Sequence, residues 1–315
     1  MNRALGQAGR PAPAPGATVG GLSLWGLALL VALTVIWGLV WPTMKMTVAE
    51  IPVFTFRAPC AVLAGAAVFG MCRLLGLPLG LSRRDRGPML LTGLFNVFGW
   101  FYFSALGVTM IGAGRASIIA YTMPVWAFLV GIVVLQERPT RNGLIGLMLG
   151  MAGIAVLMGD DLIRLGQTPG GTLVMLGAAI CFGTGAVLHK RFRWQAPTLT
   201  LIGWQLVSAA VPLSAAALIM DLDQLRPVSW GTVLGLLYVA LIGSALGYYT
   251  WLRVVEMLPI RVASIGVLMI PLLGVVSSAL ALGEPVGWQE GVALALVMAA
   301  MATVMTMPRR APPPG

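Results

Sequence analysis

The chain has 315 residues, of which 58% are hydrophobic and only 10% are charged. Soluble globular domains carry about 25% charged residues, so the composition excludes a protein with an ordinary water-facing surface. A chain of this composition is suited to a lipid environment.

Ten apolar stretches follow a tail at residues 1–21, which is rich in Ala, Gly and Pro and is predicted to be disordered and cytoplasmic. A helix crosses the hydrocarbon core with about 20 apolar residues, and every stretch except 58–72 meets or approaches this length. Arg57 and Arg73 bound that short stretch and could snorkel to the two interfaces. The predicted fold class is therefore all-α, with ten transmembrane helices and a second cytoplasmic tail at 308–315. The stretches without Asp, Glu, Lys or Arg are 22–44, 58–72, 87–114, 116–136, 142–159, 165–188, 194–220, 227–252, 262–283 and 291–308.

The basic residues are distributed unevenly between the two ends of these helices. With the N-terminus in the cytoplasm, 15 of the 20 Lys and Arg residues fall on the inner side and 5 on the outer side. This bias predicts that both termini are cytoplasmic. The net charge of +10 therefore indicates topology and contact with anionic membrane lipids, rather than nucleic acid. All but two of the 20 are arginine, as in GC-rich bacterial genomes, and the predicted location is a bacterial inner membrane.

An internal duplication relates the two halves of the chain. Lys, Pro and Glu are rare here, so their recurrence at nearly one offset is not expected by chance. The two predicted five-helix units are 22–160 and 165–307. Matches at shifts of 145 to 147 residues include Lys45 with Lys190, Tyr102 with Tyr249, Pro124 with Pro271, and Glu137 with Glu284.

An odd number of helices in each half makes the second half enter the membrane from the opposite side, so the repeats are inverted. Inverted repeats recur in secondary transporters, because two such halves can exchange conformations and open one site to either side. The pattern favours transport by alternating access. The alternative is a duplication that serves stability alone.

Several local motifs resemble the EamA branch of the drug/metabolite transporter superfamily. They are Trp37-Gly38, Arg57 early in the second span, Tyr248-x-x-Trp251, and the Pro-containing fourth and ninth spans followed by Glu137 and by Gly283-Glu284. The resemblance covers about residues 24–307. It implies a central cavity lined mainly by spans 1, 3, 4, 6, 8 and 9, with spans 5 and 10 at the periphery. It also implies export of amino acids, related metabolites or drugs.

Deep aromatic side chains and one amide are the predicted pocket residues. An unpaired amide in hydrocarbon is expensive, so Asn96 must find a partner or a wet cavity. Tyr102 and Tyr249 occupy equivalent repeat positions, and both are therefore expected at the central cavity. Helix packing or lipid contact is the alternative for each residue. The predicted substrate-binding residues are Trp37, Asn96, Trp100, Tyr102, Tyr121, Trp126, Tyr248, Tyr249 and Trp251.

Five further residues are predicted to take part in gating. Arg57 either snorkels to the outer interface or binds a substrate carboxylate at the outer gate. Glu137 and Glu284 either cap the helix that follows each of them or act at gates. Pro124 and Pro271 lie mid-span, where proline removes a backbone hydrogen bond and kinks the helix, as a static bend or as a hinge.

The sequence contains no recognisable catalytic, metal-binding or cofactor-binding motif. The three cysteines lack CxxC spacing, the chain has one histidine, and HExxH, GxSxG and Walker motifs are missing. The prediction is a secondary exporter of amino acids or of amphipathic or aromatic metabolites, with no cofactor, no metal and no enzymatic activity. A channel or facilitator is the alternative, followed by an intramembrane enzyme. The choice between monomer and homodimer stays open.

Overall fold

The computed structural model describes residues 18–19, 22–164 and 170–305. The tails predicted at 1–21 and 308–315 lie outside the described residues except at Thr18–Val19. This pair forms strand β1, which is antiparallel to β2 at Leu22–Ser23. Ser23 then begins the first helix, because its side-chain oxygen accepts a hydrogen bond from the Gly26 N–H at 3.2 Å.

Ten consecutive helices make up the remainder of the described chain. Eight are long and apolar enough to cross a membrane, and the described parts of the last two form shorter apolar helices. The prediction of an all-α membrane protein is confirmed, whereas the count of ten spans stays a prediction. The helices are α1 (Leu24–Val48), α2 (Val53–Leu74), α3 (Arg83–Met110), α4 (Ala113–Val134), α5 (Arg141–Arg164), α6 (Gly170–Arg191), α7 (Thr198–Gln224), α8 (Trp230–Met257), α9 (Ile260–Leu282) and α10 (Trp288–Met305).

Helices from the two halves of the chain interleave in the bundle. α1 packs along α9, and α6 packs along α4. α2 packs along α7, and α5 packs along α10. α3 contacts α6, while α8 contacts α1. Most packing therefore joins one half to the other, and neither half has a separate core.

Two glycines allow close crossings between these helices. A Cβ atom on Gly183 in α6 would stand 2.8 Å from both the Ala127 backbone nitrogen and the Met123 carbonyl oxygen of α4. A Cβ atom on Gly38 in α1 would stand 2.7 Å from the Leu273 Cβ of α9. Only glycine permits backbones to approach so closely. The two crossings therefore depend on these residues.

The two mid-span prolines act differently. α4 is interrupted between its halves Ala113–Ala120 and Met123–Val134, and Pro124 lies in the first turn of the second half, where a missing N–H is tolerated. α9 runs as one helix from Ile260 to Leu282, with Pro271 inside it. Pro124 thus accompanies a break in α4, whereas Pro271 does not interrupt α9.

Candidate functional site

A cavity of about 100 Å³ lies inside the bundle where α1, α2, α3, α4, α6 and α8 meet. None of its lining residues belongs to the described parts of α5, α7, α9 or α10. The lining therefore agrees with the expected helices, except that α2 takes the place of α9. Ligand pockets usually measure 300–1,000 Å³, and this space suits only several waters. A metabolite enters only if the helices move apart.

Five of the predicted site residues line this cavity. They are Trp37, Arg57, Trp100, Tyr121 and Tyr248. The sequence did not single out the other lining residues, which are Val40, Trp41, Met44, Phe101, Ser104, Met123, Phe182, Val239, Gly243 and Ser244. Two of them could have been predicted from the internal repeat. Phe182 is the repeat equivalent of Trp37, and Phe101 is the repeat equivalent of Tyr248.

Tyr102 and Tyr249 do not line the cavity, in contrast to the prediction. On α3 the cavity face carries Phe101 and Ser104, and a residue two positions from Trp100 points to the opposite side of the helix. The Tyr102 ring stacks instead on Phe54, with ring centroids 5.3 Å apart. On α8 the lining residue is Tyr248, whereas its neighbour Tyr249 is partly buried against the core of the bundle.

The other predicted pocket residues lie outside the lining and support its walls. Asn96 finds the partner it requires, because its Nδ2 donates to the Gln205 Oε1 at 3.1 Å. The Trp126 Nε1 donates to the Thr122 hydroxyl at 3.1 Å, beside the break in α4. The Trp251 ring packs near the lining residue Trp37, with ring centroids 6.3 Å apart.

Two π-helical segments lie at the cavity. One covers Leu94–Gly99 in α3 and ends immediately before Trp100. The other covers Tyr238–Leu246 in α8 and includes the lining residues Gly243 and Ser244. A π-helical turn shifts the register of the residues that follow it and often marks a functional site. These segments aim α3 and α8 side chains into the cavity.

Arg57 is the charged residue of the lining. Its side chain is only 3% exposed, so the alternative in which it snorkels to an interface is wrong. The Nη2 donates to the Ser104 hydroxyl at 2.7 Å and contacts the Met44 sulfur at 2.8 Å. The guanidinium carbon lies 4.9 Å from the Phe56 ring centroid and 4.7 Å from that of Phe101. Cation–π contacts of this kind offset part of the desolvation cost.

The hydrogen bonding of Arg57 is incomplete. Its Nε is buried without a hydrogen-bond partner, and within the described part of the chain no carboxylate pairs with the guanidinium. A buried charge is expensive unless it is paired and hydrogen-bonded. The cavity therefore presents an uncompensated positive charge to whatever enters it.

Glu284 holds the N-terminus of α4. Its Oε1 accepts from the Ala113 N–H at 2.7 Å, and its Oε2 accepts from the Gly114 N–H at 2.9 Å. At the same end of the bundle, the Lys45 Nζ donates to the Val108 carbonyl oxygen at 2.6 Å. These contacts join the end of α1 and the α9–α10 connection to the turn between α3 and α4.

Glu137 makes a different contact at the opposite end. It forms an ion pair with Lys190 at 2.5 Å, and both side chains are exposed. The N-terminus of α5 is held instead by Thr140, whose hydroxyl accepts from the Gly143 N–H at 3.1 Å. The expectation that each glutamate caps the helix after it is therefore wrong, because Glu137 and Glu284 both precede that helix by four residues.

Comparisons with known proteins give one consistent result. The sequence profile described as the EamA-like transporter family matches residues 24–159 and 169–306. A probable amino-acid metabolite efflux pump of Salmonella typhimurium is 27% identical over 87% of this chain and 92% of its own length. The aromatic amino acid exporter YddG of Ancylobacter novellus is 30% identical over 71% of this chain and 78% of its own. A protein of known crystal structure shares the fold, with a TM-score of 0.62 at 21% identity over 88% of this chain and 96% of that one.

Proposed function

Because the chain belongs to the EamA-like transporter family, a family of transporters rather than enzymes, we propose that it exports amino acids or related small carboxylates by alternating access. Two of its relatives are named as a probable amino-acid metabolite efflux pump and as an aromatic amino acid exporter, which supports this substrate class. We place the exporter in a bacterial inner membrane, with both termini in the cytoplasm and ten spans.

Arg57 is the observation that carries the choice of substrate. A carboxylate accepts two parallel hydrogen bonds from a guanidinium and would complete the incomplete hydrogen bonding of Arg57. Aromatic rings form much of the remaining wall and suit an apolar or aromatic body on the same molecule. Tyr121 and Tyr248 add hydroxyls that make no hydrogen bond to another described residue, and these suit the polar end of an amino acid.

Equivalent local features in the two halves support the inverted repeat. Ser82 accepts from the N–H three residues later at 3.2 Å and begins α3, while Ser229, 147 residues further along, does the same at 3.2 Å in α8. The two π-helical segments overlap at the same offset. The crossings at Gly38 and Gly183 also correspond, because Leu273 of the first is equivalent to Trp126 of the second. Such halves can exchange conformations about one central cavity.

The two glutamates support a gating scheme built on this symmetry. In this structure Glu284 closes one end through the N-terminus of α4, whereas its equivalent Glu137 is exposed and paired with Lys190. An exposed ion pair contributes little to stability. The outer end is therefore the more firmly closed. In the opposite state, Glu137 would accept hydrogen bonds from the backbone N–H groups at the N-terminus of α9, as Glu284 does at α4.

Glu284→Gln is expected to loosen the outer end. An amide donates and accepts more weakly than a carboxylate at a helix N-terminus, so labelling of Ser244→Cys by an impermeant maleimide from outside should rise roughly fivefold. The background is a variant without native cysteines. Glu50→Gln is the matched control, because Glu50 lies at the same end and its carboxylate accepts hydrogen bonds from Ser229 and Thr232 at the start of α8. Equal labelling in both variants would remove Glu284 from the gate.

Substrate counterflow in proteoliposomes tests the proposed function. A carrier that alternates between two states transports labelled substrate faster when unlabelled substrate is present on the other side. A panel of aromatic and aliphatic amino acids, their decarboxylated amines and cationic drugs should show this trans-stimulation for the carboxylates. Flux without trans-stimulation would identify a channel, and absence of flux for every compound would overturn export of these substrates.

A further inference from the structure

A second cavity, of about 350 Å³, lies at the opposite end of the bundle from Glu284. It is formed where the start of α3 meets the connection between α6 and α7. Three arginines, two aromatic rings, Pro88 and one acid line it. The residues are Arg84, Asp85, Pro88, Arg191, Phe192, Arg193 and Trp194. We name it the arginine pocket.

The protein offsets only part of the positive charge of the arginine pocket, because three arginines face one acid. Asp85, its only acid, is 1% exposed, and its oxygens accept hydrogen bonds from the Gln195 N–H at 3.2 Å and the Ala196 N–H at 3.1 Å. No ion pair joins an acid of the described residues to any of the three arginines. The guanidinium groups are therefore available to an anion from outside.

The fold does not require these arginines. The equivalent place in the other half is built from the start of α8 and the α1–α2 connection, with the same serine at the helix start. At the position of Arg84 that half carries Gly231, and at the positions of Arg191 and Arg193 it carries Met46 and Val48. Topology explains an excess of basic residues on the inner side, but not their convergence around a cavity with two aromatic rings.

An apolar surface continues from the arginine pocket toward the membrane. Arg84, Pro88 and Leu91 lie four and three residues apart on α3 and so share one face. Leu91 and Leu94 follow Pro88 by about one and two helical turns, toward the middle of α3. Leu91 is 42% exposed and Leu94 is 52% exposed. A ligand with an anionic head and apolar chains would contact both the arginines and this face. We propose that the arginine pocket binds the phosphate of an anionic phospholipid at the cytoplasmic surface.

Thermal unfolding in detergent micelles tests this site. Phosphatidylglycerol added to the micelles should raise the Tm, and phosphatidylcholine should not, because only the first carries a net charge. Because each arginine near an anionic lipid strengthens its binding, R84Q/R191Q/R193Q should require at least tenfold more phosphatidylglycerol for the same shift. The matched control is R83Q/R86Q/R138Q, which removes equal charge from exposed arginines outside the pocket and should respond as the wild type.

Two outcomes would overturn the proposal. An equal loss of response in both triple variants would show that general charge, and not the pocket, attracts the lipid. Equal stabilisation by inorganic phosphate would make a free anion, and not a lipid, the ligand. If the pocket variant fails to fold, the single variant R193Q provides the same comparison against R83Q. Counterflow is measured separately, so failure of the transport proposal does not affect this result.

Discussion

Arg57→Met is expected to lower transport of a carboxylate substrate on the order of a hundredfold while leaving the protein folded. Removing one partner of a buried charged hydrogen bond typically costs 2–5 kcal/mol, and the substrate would lose that contact. Stability should be unchanged or higher, because the variant replaces an uncompensated buried charge by an apolar side chain of similar length. Transport and stability thus move in opposite directions, which a structural role for Arg57 would not produce.

The measurements are initial transport rates in proteoliposomes and the Tm of the purified protein. Arg73→Met is the control, since Arg73 is exposed at the other end of the same helix. Lysine at position 57 should retain part of the activity, because it keeps the charge and loses the planar fork. Wild-type rates in Arg57→Met would separate Arg57 from substrate binding. A sharp fall in Tm would assign it to structure instead.

Gly183→Ala is expected to disrupt the packing of α6 on α4. The added methyl would lie 2.8 Å from two backbone atoms of α4, and backbone cannot rotate away as a side chain can. Overpacking of this kind typically costs 1–3 kcal/mol. Transport should fall as well, since α4 and α6 both line the cavity. The readouts are the Tm and the yield of monodisperse protein.

Gly70→Ala is the matched control for this change. Gly70 lies in the interior of α2, and apart from its chain neighbours and the nearby backbone of the same helix, no atom is within 4 Å of the place that its Cβ would occupy. Helix propensity alone then favours alanine by up to about 1 kcal/mol. The two glycine variants should therefore differ in the sign of their Tm shift. Equal shifts would mean that the α4–α6 crossing relaxes easily.

The helical architecture could be predicted from the sequence because a lipid environment leaves few alternatives. Backbone groups in hydrocarbon must be hydrogen-bonded within the segment, so an apolar stretch of sufficient length becomes a helix. The family was also recognisable, since Trp37-Gly38 and the paired Pro and Glu positions survive as local motifs. These signals need no knowledge of which helices touch.

The placement of side chains around the cavity could not be predicted in the same way. Arg57 is buried because Ser104 and Phe101 of another helix surround it, and nothing near it in sequence indicates that. Tyr102 was chosen because it recurs as Tyr249 at the repeat offset, and such a recurrence does not show which face of the helix lines the cavity. Glu284 holds a helix that begins 171 residues before it in sequence. Each of these features depends on packing between distant segments.

The burial of Arg57 in one half only has an electrical consequence for the proposed transport cycle. Its repeat equivalent is Ile202, so the positive charge belongs to the first half and is not reproduced in the second. A bound monovalent carboxylate without an ammonium group would neutralise that charge, and the loaded protein would change state as a nearly neutral particle; a zwitterionic amino acid would leave one positive charge on the loaded protein. The empty protein would return as a cation. A membrane potential acts on a moving charge with about 2.3 kcal/mol per 100 mV for a full crossing, and an inside-negative potential would therefore draw the empty protein toward the state that loads from the cytoplasm.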